Sequence, residues 1–206
     1  MRLRKLKNTN EIINNSKYIV NDIEKHKGNW QKLFNNNNPI HIEIGMGRGK
    51  FILENALKNK DINYIGIERY DAPLSRAIKK IDKFDIPNLK IIRVDAEKLN
   101  DIFSNEVDVI YLNFSDPWPK DRHEKRRLTH EYFLKIYDGI FKRQCVIIQK
   151  TDNRNLFEYS LWSLVKYGYK IDFISLDLHK EHEEITTEYE EKFMNLGPIY
   201  KAVYKK

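Results

Sequence analysis

Residues 39–49 read Pro-Ile-His-Ile-Glu-Ile-Gly-Met-Gly-Arg-Gly. An apolar run over 39–44 that stops at glycines on alternate positions is the start of a strand–turn–helix unit. Gly45 and Gly47 let the backbone turn sharply and approach a ligand closely. A tight structural turn explains the same glycines. The dinucleotide pattern G-x-G-x-x-G fails, because Lys50 stands at the third place. The phosphate-binding P-loop fails as well, because Phe51 follows Lys50 where Ser or Thr is needed.

Outward from this stretch, short β-rich runs alternate with helical periodicity. The pattern predicts a helix over 48–57, a strand over 63–68 and a strand over 89–94. A helix opening near Asp71, with Asp71 as cap and Pro73 in its first turn, carries Leu74, Ala77, Ile78 and Ile81 on one face. Further strands are predicted over 107–114, 144–150, 171–176 and 199–204. Helices are predicted from about 129 and over 155–167. This alternation is that of an α/β fold, a doubly wound, mostly parallel sheet of Rossmann-like type. The last two strands have no long helix between them, so the final strand should run antiparallel. Residues 1–38 are polar and rich in Asn and Lys, and read as an N-terminal extension, a solvated arm with one helical piece. Trp30 and Phe34 read as its hydrophobic anchor. Residues 39–206 read as the main domain.

Composition bounds the class. In 206 residues, 41% are hydrophobic and 33% charged, enough for one core and too much for disorder. No apolar run is long enough to cross a bilayer, and residues 1–7 are basic with no apolar stretch behind them. No membrane association and no secretory signal are expected. The single cysteine, Cys145, excludes a disulfide framework and a Cys-based zinc site, and reads as a packed thiol. A cytoplasmic location is expected. Lys plus Arg is 37 against 30 for Asp plus Glu, a net charge of +7, which points to a polyanionic partner once the charge is localised.

In a doubly wound sheet ligands bind beyond the carboxyl ends of the strands. Four acids stand there: Glu43, Glu68, Asp95 and Asp116. Glu68 is about twenty residues past the glycines, where an acid accepts from ribose hydroxyls. Asp95 is placed to meet an adenine amino group. Four acids and no phosphate cradle select an adenosine bearing positive charge. S-adenosylmethionine fits, as its sulfonium is cationic and its ribose hydroxyls are free.

The acceptor is read from the next segment, Ser115-Asp-Pro-Trp-Pro-Lys120 followed by Asp121-Arg-His-Glu-Lys-Arg-Arg127. Prolines on both sides of Trp118 stiffen a loop and exclude helix through it. Residues 120–127 carry five basic and two acidic side chains. An aromatic in a rigid loop beside cations suits a base and its phosphates. A solvated loop before a basic helix start is the alternative.

These motifs, with Lys150-Thr-Asp-Asn153 and Thr187-Glu-Tyr-Glu190, resemble the bacterial tRNA (guanine-N7-)-methyltransferases, over a region from about Pro39 to the C-terminus. The resemblance implies a class I S-adenosylmethionine-dependent enzyme that methylates N7 of guanosine 46 in the tRNA variable loop. It implies that Glu43, Gly45, Gly47, Glu68, Asp95 and Asp116 form the cofactor site, with Asp116 also catalytic. It places Lys120, Asp152, Thr187, Glu188, Tyr189 and Glu190 on the substrate, and turns Arg122, His123, Lys125, Arg126 and Arg127 toward tRNA. Asp121 departs from the family, which often has a basic residue there. No metal and no obligatory protein partner are implied, and monomer and homodimer are both compatible. His179 and His182 have a spacing at which a metal is conceivable, but no softer ligand joins them and they read as a solvated polar loop. The rival readings are a methyltransferase of the same fold with another acceptor, a non-catalytic RNA-binding module, and a nicotinamide-dependent oxidoreductase.

Overall fold

A computed structural model of the chain describes residues 8–206; the basic stretch 1–7 lies outside the described residues. Seven strands form one sheet: β1 (Ile40–Ile44), β2 (Asn63–Ile67), β3 (Leu89–Ile92), β4 (Val107–Asn113), β5 (Phe141–Thr151), β6 (Lys170–Ser175) and β7 (Tyr200–Lys205). Their order is β3-β2-β1-β4-β5-β7-β6. The first five are mutually parallel, and β7 inserts antiparallel between β5 and β6. The antiparallel last strand is therefore as the sequence predicts. The chain order reverses between β1 and β4, which opens a crevice past their carboxyl ends.

The helices are α1 (Thr9–Asn14), α2 (Trp30–Phe34), α3 (Lys50–Lys58), α4 (Asp71–Ile81), α5 (Leu99–Ile102), α6 (Glu131–Asp138), α7 (Arg154–Tyr167), α8 (Leu178–Glu181) and α9 (Glu188–Phe193). Strand side chains alternate between two cores. Tyr64, Leu89 and Ile91 pack with α3 and α4 residues such as Leu53 and Ile78. Ile65, Ile67 and Ile92 pack with Leu134, Tyr137 and Leu164 on the other face. Both faces of the sheet are covered, as near-continuous apolar strands require. Asp71 opens α4 without capping it, because Tyr70 holds the cap position and the Asp71 carboxylate pairs with Arg93 at 3.0 Å.

The described part of residues 8–38 is not a solvated arm. Ile13, Tyr18, Ile23, Trp30 and Phe34 are all buried. Ile19 forms a parallel bridge with Ile91 at the β3 edge. Tyr18 donates its hydroxyl proton to Phe84 O at 2.6 Å. Trp30 anchors the segment as expected: its ring lies 5.1 Å from Phe103, and its indole N–H donates to Ile102 O at 2.9 Å. These apolar residues are spaced without a period among Asn and Lys, so their partners, far along the chain, are invisible locally.

Candidate active site

The crevice begins at the glycine loop. Gly45, Gly47 and Gly49 all have positive φ, at 78°, 57° and 74°. At Gly49 a Cβ would sit 3.1 Å from the Ala77 Cβ and 3.2 Å from Ile81 Cδ1. Glycine is required there to seat α3 against α4. The N–H groups of Gly45 and Met46 both donate to Ile67 O, at 2.9 and 3.0 Å, which ties the loop to the end of β2.

Glu68 follows β2 directly. Its two carboxylate oxygens accept from Gly47 N at 3.0 Å and Tyr70 N at 2.9 Å. Burial raises its pKa against these bonds. Asp95 follows β3. Burial works to raise its carboxyl pKa, but Arg69, at 2.8 Å, and the Glu97 N–H hold it below the ordinary range. Asp116 is exposed, and its side chain forms no hydrogen bond or ion pair among the described residues. Glu68, Asp95 and Asp116 line one cavity of about 370 Å³, with Gly45, Asn113, Trp118 and Arg126. That volume suits a nucleoside-sized ligand.

Glu43 and Gly47 are not on the cavity wall. Glu43 is buried beneath it, where its Oε1 accepts from Asn113 Nδ2 at 2.9 Å. Glu43 Oε2 and Asn113 Oδ1 are both buried without a partner. Desolvation pushes the Glu43 carboxyl up to about 7.

The rigid loop closes the far side. Phe114 and Trp118 adopt left-handed backbone, with φ of 51° and 41°. Two non-glycine residues in that region within five positions mark a backbone held under strain. The basic stretch then winds into a 3-10 helix, Asp121–Arg126, which begins after the last proline. Arg126 lies 4.9 Å over the Trp118 ring, and His123 is 5.8 Å from it. Arg127 is turned inward and donates to Pro117 O at 3.2 Å and Trp118 O at 3.1 Å, so it holds the loop's shape. Lys120, Arg122 and Lys125 are exposed outside the cavity.

The C-terminal motif joins the same rim through α9. Thr187 caps this helix in a reciprocal capping box with Glu190. Tyr189 donates to Asp152 at 2.8 Å, and its ring lies 5.0 Å from Phe114 on the cavity wall. Glu188 accepts from the N–H of Lys50 at 3.3 Å and pairs with Lys80. Glu190 is fully buried, and it accepts from Lys150 at 2.7 Å and from the N–H of Thr187 at 3.1 Å. Its other oxygen meets His179 at 2.9 Å. Glu190 is thereby a positioning residue for α9. The sequence reading gave Asn113 no role, and did not foresee Lys150 and His179 as partners of Glu190. The S/T-x-x-E signature at 187–190 was the one local signal for α9. His179 is engaged by Glu190, and the His182 ring packs 5.3 Å from Phe173.

Residues 37–202 match a family described as "Putative methyltransferase". A tRNA (guanine-N(7)-)-methyltransferase of Lachnoclostridium phytofermentans is 50% identical, over 98% of this chain and 97% of that protein. One of Bacillus subtilis is 49% identical, over 93% and 92%. Among solved structures, an antibiotic-related methyltransferase superposes with a TM-score of 0.69 at 19% identity, covering 87% of this chain and 93% of that one. The 16S rRNA methyltransferase KamB superposes with a TM-score of 0.65 at 12% identity, over 86% and 92%. These structures share the fold. The chain belongs to the tRNA (guanine-N(7)-)-methyltransferase family.

Proposed function

We propose, with that family membership as premise, that the protein transfers a methyl group from S-adenosylmethionine to N7 of guanosine 46 in the variable loop of tRNA. The observation that carries the reading is one cavity with two kinds of wall. Glu68 and Asp95 stand on one side; the strained aromatic loop with Trp118 and Arg126 stands on the other, and Asp116 lies where they meet.

The residues present fit the donor. Its ribose hydroxyls, adenine amino group and cationic centre call for acceptors and negative charge. The cavity supplies Glu68 and Asp95, with Asn113 beside them and Ile67, Val94 and Phe133 as apolar wall; the buried Asn113 Oδ1 beneath is left without a partner. Glu68 would take the ribose and Asp95 the adenine edge. Glu43 acts from beneath through Asn113. When bound, S-adenosylmethionine supplies an electrophilic methyl on a positively charged sulfur.

The acceptor chemistry sets what the chain must do. N7 of guanine carries an in-plane lone pair and attacks without losing a proton. No strong general base is required, and positive charge grows on the base as the bond forms. Alignment and nearby negative charge are the useful devices. Asp116, unpaired at the cavity mouth, is the group for the guanine edge and for that charge. Trp118 and Arg126 provide a face and a cation for the base and its phosphate. Lys120, Arg122, His123 and Lys125 extend the positive rim toward the RNA backbone. Asp152 and Tyr189, joined by their hydrogen bond, border the acceptor side; Thr187, Glu188 and Glu190 hold the helix that carries Tyr189. Action on tRNA fits a cytoplasmic protein, and the proposed reaction calls for no protein partner.

The test uses donor labelled in its methyl group and two tRNA transcripts, one with guanosine 46 and one with adenosine there. Label on the first alone is the expected result. Label on neither, while the donor still binds, overturns the reading. Asp116→Asn should cut turnover by about a hundredfold or more with donor affinity kept, the scale of losing one transition-state contact. Near-normal turnover in that variant removes Asp116 from the mechanism.

A further inference from the structure

The alternation of rings and cations at the loop continues beyond the cavity. Arg127, bonded to the loop carbonyls, also lies 4.3 Å over the ring of Tyr159 on α7. The Trp162 ring is 6.2 Å from Tyr159, and Lys166 Nζ sits 4.6 Å from the Trp162 ring. Tyr159, Trp162 and Lys166 occupy i, i+3 and i+7, one face of the helix. They carry the series about 10 Å along α7, away from the cavity mouth. The indole is not covered by the lysine: Trp162 stays 57% exposed, and Val165 beside it 50%. Two carboxylates approach the series. Glu124 stands beside Tyr159, and Glu131, which faces Lys166, is paired with Lys135 at 2.7 Å. Arg126, Arg127 and Lys166 form no ion pair with a carboxylate among the described residues.

We propose that this stripe, from Trp118 over Arg127 and Tyr159 to Trp162 and Lys166, is a second, sequence-independent RNA-contact surface. On it a nucleotide outside the target loop stacks on Trp162, and Lys166 neutralises an adjoining phosphate. The proposal rests on RNA being the substrate and adds a surface the reaction itself does not need. Three observations select RNA over a protein partner. Cations alternate with flat rings, which is how single-stranded nucleic acid is held without sequence preference. The stripe is continuous with the loop through Arg127. An exposed indole with Lys166, which forms no ion pair among the described residues, beside it matches the charge of a phosphate backbone.

The test compares the full-length protein with Trp162→Ala, Trp162→Phe and Lys166→Gln. Affinity for an unmodified tRNA transcript is measured over a salt series, with sedimentation run in parallel. Trp162→Ala should weaken binding about tenfold, the effect of losing one stacked base, and Trp162→Phe should hold it within about twofold. Lys166→Gln should reduce the salt slope by about one. Donor affinity and turnover at saturating tRNA should stay as in the wild type. Wild-type affinity and salt slope in both Trp162→Ala and Lys166→Gln overturn the proposal. So does a change of mass in solution for Trp162→Ala with RNA affinity unchanged, which makes the face a contact between copies of the chain. If Trp162→Ala fails to fold, the salt slope of Lys166→Gln decides alone. A wild-type protein that binds tRNA but transfers no methyl overturns the proposed reaction, and the affinities still judge the stripe.

Discussion

Glu43 is a carboxyl group with almost no access to water, one oxygen on Asn113 and the other on no donor. Burial lifts its pKa to about 7, against 4.5 in an unfolded chain. Between those values the folded protein holds a proton that the unfolded chain has released. Stability contributed by that proton is full below about 4.5 and is lost as pH rises through about 7. His41 works in the opposite sense: burial lowers it to about 4, so its contribution is lost as pH falls below 6.5. The difference between wild type and Glu43→Gln isolates the carboxyl. The amide keeps an acceptor for Asn113 and adds a donor, as the proton does. Denaturation midpoints should fall from pH 5.5 to pH 8 in the wild type and much less in Glu43→Gln, which should be the more stable at pH 8. Parallel pH profiles would mean that Glu43 is ionised throughout. At this scale the sequence was a good guide to where Glu68, Asp95 and Asp116 stand, past strand ends on one cavity, since strand ends follow from hydrophobic runs. It could not tell that Glu43, two places before the strand turns into the glycine loop, lies beneath the cavity and not on its wall. That depends on the pleat and on Asn113 from β4, 70 residues away.

Helix α9 has six residues, too few to form alone, and four of its side chains are charged. It is held by its cap, by Lys50 and Lys80, and above all by the Lys150–Glu190 pair, in which both side chains are nearly or wholly buried. Breaking one side of a buried pair leaves an uncompensated charge and costs about 3–5 kcal/mol. Lys150→Met should therefore lose stability on that scale. It should also raise the KM for tRNA more than it lowers kcat, because Tyr189 and Asp152 lose their frame, and donor affinity should be spared. Adding Glu190→Gln removes the stranded charge, and the double variant should regain most of the stability. A double variant no better than the single one would show that the pair does not act as a unit. Periodicity could not reveal this helix, nor could it reveal that Lys150, in a strand read as apolar, is an interior cation. The capping residues were legible, but the charge partners come from α3, α4, α8 and β5.

Across the whole molecule, the described N-terminal residues tie the catalytic fold together at the end opposite the cavity. Glu106, just before β4, accepts from the N–H groups of Gly28, Trp30 and Ser104. Trp30 fills the space beneath, against Phe103 and the Ile102 carbonyl. At the sheet edge, Val20 N donates to Ile91 O and Ile91 N to Tyr18 O, so β3 is not left as an open edge. The segment thus does two jobs that the parallel sheet cannot do for itself. It closes one edge, and it plugs the amino-terminal ends of the strands. Trp30→Ala removes a fully buried indole and its hydrogen bond, which should cost about 3–5 kcal/mol in a denaturant titration. The strands' carboxyl ends, where the acids stand, are not touched by that cavity. Donor affinity and turnover per folded molecule, measured well below the denaturation midpoint, should therefore match the wild type. A loss of turnover in fully folded Trp30→Ala would mean that the packing beneath β4 reaches along the strand to Asn113 and Asp116. The segment would then be part of the site's alignment and not only of its support.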